Sequence, residues 1–205
     1  LHTLAVVREL KTLGTKRNQG ILVLKNLLLS SLLFLSATVT ATYVYEANQA
    51  LIDLTGATGT TNLGASDDGV SNAFDLGFTF DYYGQEFTQA RVATNGCLHF
   101  KTSGAYCNDY TPDPLIGQHT YTLYPFWTDL IRNEGSNVLA KSYTDKTVFG
   151  WYDMQEYGRS NSDNSFEVIL WTNDTFEFRY GALDITKHDV SIGEVGSGAT
   201  EVYQY

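Results

Sequence analysis

Recognisable catalytic motifs are missing from this sequence of 205 residues. It has no Gly-x-Ser-x-Gly nucleophile elbow, no His-Glu-x-x-His metal motif and no phosphate-binding Gly-x-x-x-x-Gly-Lys loop. The three histidines that follow residue 41 show no spacing that indicates a common site. The sequence therefore predicts a protein that is not an enzyme, with no catalytic residues and no bound cofactor.

Basic residues are also few, and they are unevenly placed. The chain has 13 Lys and Arg against 23 Asp and Glu, and residues 1–41 hold five of the bases but only one acid. Residues 42–205 are left with 8 bases and 22 acids, a net charge of −14. Such an acidic body repels phosphate backbones, which excludes nucleic acid as a partner and favours a well-solvated exported protein.

A short apolar stretch near the N-terminus is the candidate for a leader. Lys25 precedes about eleven mostly apolar residues, and the small-residue run 36–41 follows them. This order is that of a secretory signal peptide, and the stretch is shorter than the ~20 residues that span a bilayer. We predict a signal peptide over residues 23–41, cleavage between Ala41 and Thr42, and no stable membrane span afterwards. A buried core helix or an uncleaved anchor is the alternative.

Residues 1–22 do not fit in front of a signal peptide, which normally begins a few residues before its charged region. The chain begins with Leu1, and its first methionine is Met154. We interpret residues 1–22 as a non-native upstream extension outside any fold, with translation beginning at Val23 or Leu24.

Two cysteines, Cys97 and Cys107, are the whole cysteine content of the chain. In an oxidising compartment they are expected to close a short, Gly-containing hairpin loop as a disulfide. Two free buried thiols are the alternative, and a metal site that includes His99 is weakly indicated because no second Cys or His pair stands at ligand spacing.

After the leader, helical signals are sparse and strand signals recur. Apolar side chains at Phe74, Leu76, Phe78 and Phe80 alternate with Asp, Gly and Thr, which is the period of two of a half-buried strand. Short strands separated by turn residues, with no helices between them, indicate a sandwich or barrel. We predict an all-β fold, an antiparallel β-sandwich preceded by a signal-peptide helix.

The clearest predicted hairpin joins residues 166–172 to residues 175–180 through Asn173-Asp174 as a two-residue turn. That register places Trp171 opposite Phe176 and Ile169 opposite Phe178 on one apolar face, and it leaves the other face at least partly wet. The aromatic residues expected mainly in the core are Trp127, Trp151, Trp171, Phe176 and Phe178.

Five segments resemble the signature elements of nidogen-like extracellular domains, including related bacterial and phage surface proteins. In chain order they are Ala93–Phe100 (with Thr94-Asn95-Gly96), Tyr124–Leu130 (Pro-Phe-Trp-x-Asp, with Tyr124 in place of Ala), Val148–Met154, Asn164–Leu170 and Phe176–Gly181. The resemblance implies one non-catalytic, extracellular domain over residues 42–205. The strand-like end at 202–205 is consistent with truncation at the C-terminus.

Two kinds of candidate site remain open. Trp127 and Asp129 could form a ligand platform, although a sandwich tryptophan more often packs in the core. Calcium could bind at Asp109 and Asp113 or at 67–69, although ordinary turn chemistry explains those acids better.

Three functions are consistent with these observations. The first is a secreted or cell-surface module of the cell–matrix adhesion type, whose ligand is an extracellular protein or a glycan. The second is a structural or receptor-binding protein of a virion, and the third is an accessory domain of an exported hydrolase.

Overall fold

The chain is built from antiparallel strands. The computed structural model describes residues 4–12, 39–47, 49–64, 66–101 and 109–204. Within these residues it contains fourteen strands and no helix. In chain order they are β1 (Leu4–Thr12), β2 (Val39–Ala47), β3 (Thr61–Asn62), β4 (Phe74–Tyr82), β5 (Gln85–Ala93), β6 (Cys97–His99), β7 (Thr122–Trp127), β8 (Leu130–Ile131), β9 (Asn137–Ser142), β10 (Lys146–Glu156), β11 (Asn164–Trp171), β12 (Phe176–Tyr180), β13 (Ser191–Val195) and β14 (Val202–Gln204).

Two sheets pack face to face as a sandwich. The first has the order β2-β1-β12-β11-β10-β9-β3, and β8 pairs with the end of β10. The second has the order β14-β13-β7-β6-β5-β4. All of these pairings are antiparallel, which confirms the predicted all-β antiparallel sandwich.

The predicted leader falls largely outside the described residues. β1 lies within residues 1–22 and pairs with both β2 and β12, and β2 crosses the predicted cleavage position between Ala41 and Thr42. Strand pairing in an uncleaved chain does not test removal by a peptidase, and residues 13–38 are not described. The boundaries at residues 22 and 41 stay predictions. The described part of the chain has no helix of the length and apolarity needed to cross a membrane.

The predicted alternation in β4 is confirmed. Leu76 and Phe80 are fully buried, Phe74 and Phe78 are half-buried against the same core, and the three residues between them are exposed. This core fills the space between the two sheets. At its centre the Trp151 ring in β10 stacks on Phe166 in β11, with 4.9 Å between ring centroids.

A hydrogen bond inside the core ties the sheets together. Trp151 Nε1 donates to the carbonyl oxygen of Ala93, at the end of β5 in the opposite sheet, over 2.9 Å. Because a buried indole N–H needs an acceptor, this bond fixes how the two sheets lie on each other.

Four of the five predicted core aromatics are buried, namely Trp127, Trp151, Phe176 and Phe178. Trp171 is half-buried instead, at the C-terminal end of β11. The Nζ of Lys146 lies 4.7 Å from the centre of its ring, so Trp171 packs on the outer side of the sheet under a cation.

The predicted register of the β11–β12 hairpin is wrong by one residue. Trp171 N donates to Thr175 O over 2.9 Å, so residues 172–174 form a three-residue loop. Asp174 takes the left-handed conformation there (φ 64°), the usual arrangement of a three-residue hairpin loop. Leu170 therefore lies opposite Phe176.

This shift of one residue exchanges the two faces of β11. Val168 lies opposite Phe178 and joins the core between the sheets, whereas Ile169 points to the outer face. The outer face is not wet at that point, because residues 49–55 cover it. Glu167 is fully buried there and accepts hydrogen bonds of 2.9 Å from the N–H groups of residues 52 and 53.

Candidate functional site

The Thr94-Asn95-Gly96 turn holds two distant segments together. Asn95 is buried, its Oδ1 accepts a hydrogen bond of 2.9 Å from Leu130 N, and its Nδ2 donates to Asp68 Oδ1 over 2.8 Å. Gly96 has φ +83°, and a Cβ at this position would lie 2.0 Å from the carbonyl oxygen of Phe126. Glycine is therefore required where the turn passes the 125–130 segment.

A pocket of about 310 Å³ opens beside this turn. The described residues that line it come from four separate stretches of the chain. They are Asp67, Asp68, Tyr110, Asp129 and Tyr157. Three carboxylates and two phenol rings thus share one small concave surface.

Asp129, between β7 and β8, is the most enclosed carboxylate of the pocket. The residue is only 7% exposed, and its side chain accepts no hydrogen bond from the described residues. The side chain nearest to the carboxylate is His188, whose Nε2 lies 3.5 Å from Asp129 Oδ2. Burial raises the pKa of Asp129, His188 partly offsets this effect, and repulsion from Asp68 and Asp67 adds to it.

The two tyrosines stand exposed at the rim. Tyr110 is 55% exposed and Tyr157 is 49% exposed, so both side chains are accessible to a ligand at the pocket. Tyr157 follows β10, and its N–H donates to Asp129 O over 3.0 Å. Tyr110 is placed by its neighbour Asp109, whose carbonyl oxygen accepts a hydrogen bond of 2.7 Å from Trp127 Nε1.

The predicted platform pair of Trp127 and Asp129 is divided between the core and the pocket. The Trp127 ring is 2% exposed and lies 5.2 Å from the Tyr124 ring between centroids. Through its hydrogen bond to Asp109 O it holds the backbone next to Tyr110, whereas Asp129 faces the pocket. Tryptophan at this position is thus a positioning residue in the fold.

Behind Asp129 lies a second carboxylate with a different environment. Glu156 is fully buried and accepts hydrogen bonds of 2.5–3.1 Å from the N–H groups of residues 186–188 and 3.0 Å from Arg159 Nη1. Burial acts to raise the pKa of Glu156, but Arg159 and the backbone N–H groups outweigh it and lower that pKa to about 2. Glu156 therefore has a structural role, which includes holding His188 beside Asp129.

The acids considered for calcium are placed differently from one another. Asp67 and Asp68 line the pocket, whereas Asp109 Oδ1 accepts a hydrogen bond of 2.9 Å from Thr111 N in an ordinary turn. The carbonyl oxygen of Asp113 accepts from Ser191 Oγ over 3.0 Å. In the described part of the chain, no group of three or more His, Cys, Asp or Glu is arranged to hold a metal ion.

Only one of the two cysteines of the predicted disulfide lies within the described residues. Cys97 is fully buried at the beginning of β6, and His99 at the end of that strand is buried with its Nδ1 2.8 Å from Thr122 Oγ1. Cys107 lies outside the described residues, as do the other residues of 102–108. The Cys97–Cys107 bond stays a prediction.

Sequence reasoning found the three aspartates of the pocket but missed Tyr110, Tyr157 and His188. Asp129 is separated from Tyr157 by 28 positions along the chain. The two meet only because β8 pairs with the end of β10. No local sequence pattern predicts that pairing, because β8 is only two residues long.

Fold and pocket together define a two-sheet β-sandwich module with a small acidic pocket. The profile of the NIDO related family matches residues 42–205, and the chain belongs to that family. This confirms the resemblance to nidogen-like domains that the motifs indicate. The family is in general a non-enzymatic domain type of extracellular proteins. The comparison with curated proteins gave no match, and the comparison with solved structures gave none either.

Proposed function

We propose that this chain is a non-catalytic module of a secreted or surface protein, of the cell–matrix adhesion type, and that it binds its ligand in the acidic pocket. The observation that carries the proposal is Asp129, a carboxylate that is nearly buried, faces the pocket and accepts no hydrogen bond from the described residues. The described partner nearest to this carboxylate is the His188 ring at 3.5 Å, so its oxygens can accept hydrogen bonds from a ligand that enters the pocket.

The surroundings of His188 support a binding role over a catalytic one. Its Nδ1 lies 3.2 Å from Glu156 Oε1 and its Nε2 lies 3.5 Å from Asp129 Oδ2. Both ring nitrogens thus face carboxylates. A catalytic histidine that activates a nucleophile must have one ring nitrogen directed at a hydroxyl or thiol.

Export of the protein is part of the proposal and rests on the charged, apolar and small-residue order of residues 23–41. N-terminal sequencing of the product expressed in a secreting host tests it. We expect a mature chain that begins at Thr42, and an intact leader on a cytosolic product would contradict export.

Binding is tested with the full chain against a panel of purified matrix proteins and immobilised cell-surface glycans. The test variant is Asp129→Asn, which keeps the shape of the side chain and removes its charge. The matched control is Asp145→Asn, because Asp145 is exposed at the opposite end of β10 from Tyr157. We expect at least one ligand to bind the wild type and the control but not Asp129→Asn.

Two results would contradict the proposed function. One is a panel ligand that binds all three proteins equally, since the pocket would then play no part. The other is hydrolysis of a peptide or glycan that is lost on changing Asp109, Asp113 or Asp129 to Asn, since the domain would then be an enzyme.

A further inference from the structure

The charge of the pocket, taken over its described lining residues, is unbalanced. Its lining contributes three carboxylates and two tyrosines, and none of the described residues that line it is Lys, Arg or His. His188 is not in this lining, and its Nε2 lies 3.5 Å from Asp129 Oδ2. Residues 42–205 as a whole carry a net charge of −14, so the field outside the pocket does not compensate for the imbalance.

The carboxylates of the pocket also repel one another. Burial and repulsion from Asp68 raise the pKa of Asp67, and burial followed by the same repulsion raises the pKa of Asp129. A neutral ligand such as a sugar would accept hydrogen bonds here and donate them, but it would leave this repulsion in place. A cationic ligand relieves it and supplies donors at the same time.

The rim favours an organic cation over a metal ion. Tyr110 and Tyr157 expose their rings on the same concave surface as the carboxylates. Phenol rings pack against the methylene groups of a Lys or Arg side chain and attract its cationic end. The described residues hold no group arranged as ligands for a metal ion.

We infer that the pocket receives the cationic end of a lysine or arginine side chain from an extracellular protein partner. In this arrangement the ammonium or guanidinium group donates to Asp129 and is flanked by Asp67 and Asp68. The stem of the side chain lies between the two tyrosine rings. The inference rests on the proposed function, because it names the class of ligand for the same pocket.

The test is an NMR titration of the isotope-labelled full chain with short blocked peptides. The peptides are acetyl-Gly-Arg-Gly-amide, its lysine counterpart, and acetyl-Gly-citrulline-Gly-amide, in which a neutral urea replaces the guanidinium group. We expect the arginine or lysine peptide to shift the amide signals of Asp67, Asp129 and Tyr157, with a dissociation constant on the order of 1 mM because one side chain buries little surface. The citrulline peptide should leave them unchanged.

Asp129→Asn should weaken binding of the cationic peptide about tenfold, because the enclosed member of the charge pair is lost. The control Asp145→Asn should bind as the wild type does. Tyr157→Ala, which leaves all three carboxylates in place, should also weaken binding because the ring packs on the stem; unchanged binding would contradict that contact.

Three outcomes would overturn the inference. In the first, the citrulline peptide binds as tightly as the arginine peptide. In the second, a methyl glycoside or calcium ions shift the pocket signals, whereas the cationic peptides do not. In the third, no peptide binds at all. The first two leave the pocket as a binding site and the proposed function intact. The proposed function is tested separately, by the panel ligands and by the assay for hydrolysis.

Discussion

Asn95 Nδ2 donates a hydrogen bond of 2.8 Å to Asp68 Oδ1, so a turn of the buried core holds a wall of the acidic pocket. The same side chain accepts a hydrogen bond from Leu130 N. One amide therefore sets the position of the loop before β4 and of the segment that carries Asp129. This double role gives a physical reason for Asn in the Thr-Asn-Gly element.

Asn95→Ala is expected to lower the free energy of unfolding by about 1–3 kcal/mol, because it leaves the buried Leu130 N–H without its acceptor. It should also weaken ligand binding, since Asp68 loses the hydrogen bond from Asn95 Nδ2. Urea denaturation measures the first effect and the binding assay the second. The control is Asn72→Ala, an exposed position for which a change within about 0.5 kcal/mol is expected. Equal stability of the two variants would contradict this role of Asn95.

Trp151→Ala and Trp171→Ala should differ clearly, although both residues lie on apolar strands. Trp151 is fully buried and bonded to the opposite sheet, so its truncation should cost about 3–5 kcal/mol. Trp171 is half-buried on the outer face, and its truncation should cost less than half as much. Thermal and urea unfolding of both variants measures the difference, and similar losses would show that the placement of Trp171 is wrong.

Much of the fold could be predicted from the sequence because the signals are local. The alternation at Phe74, Leu76, Phe78 and Phe80 depends on residues two apart, and it gave the correct buried face of β4. The register of the β11–β12 hairpin was mispredicted because Asn173-Asp174 suits either a two-residue or a three-residue loop. Which loop forms is decided by packing between the sheets, and the sequence of the hairpin alone does not contain that information.

The pocket was harder to predict for a related reason. Asp129 stood out because it lies in a family element, and Asp67 with Asp68 stood out as an acidic pair. Tyr110 and Tyr157 are single aromatic residues in irregular segments. They join the site only through long-range contacts, such as the hydrogen bond from Tyr157 N to Asp129 O.

Glu156→Gln should lower the free energy of unfolding at neutral pH, and it should make that free energy fall less steeply as the pH is lowered. The folded pKa of Glu156 is lowered from 4.5 to about 2, so in the wild type the unfolded chain takes up the proton first as the pH falls. The stability that this carboxylate contributes is therefore fully present above about pH 4.5, and it is lost as the pH falls towards 2. Removing the buried charge that accepts from three N–H groups should cost about 2–3 kcal/mol at pH 7.

Urea unfolding of wild type and Glu156→Gln between pH 7 and pH 3 measures this difference. The gap between the two proteins should narrow as the pH falls. A gap that stays constant would mean that the ionised form of Glu156 gains nothing from Arg159 and the backbone donors.

The double variant Cys97→Ser/Cys107→Ser should melt at a lower temperature and keep the fold. Closing so short a loop restricts the unfolded chain by roughly 2.5–3 kcal/mol in the chain-entropy description. Mass spectrometry of the exported protein without reduction should find the two cysteine peptides linked. Two thiols that alkylate freely in exported material would refute the bond.

The most direct test of the account is the free energy of unfolding of Asp129→Asn, measured without ligand between pH 4 and pH 7. Burial raises the pKa of Asp129 above its ordinary value of 3.8, so its ionisation disfavours the folded state increasingly as the pH rises through that window. If this carboxylate is kept enclosed for a ligand, the variant should be at least as stable as the wild type at pH 7, and its advantage should shrink towards pH 4. A loss of more than about 1 kcal/mol at pH 7 would instead assign Asp129 a structural role and contradict the account.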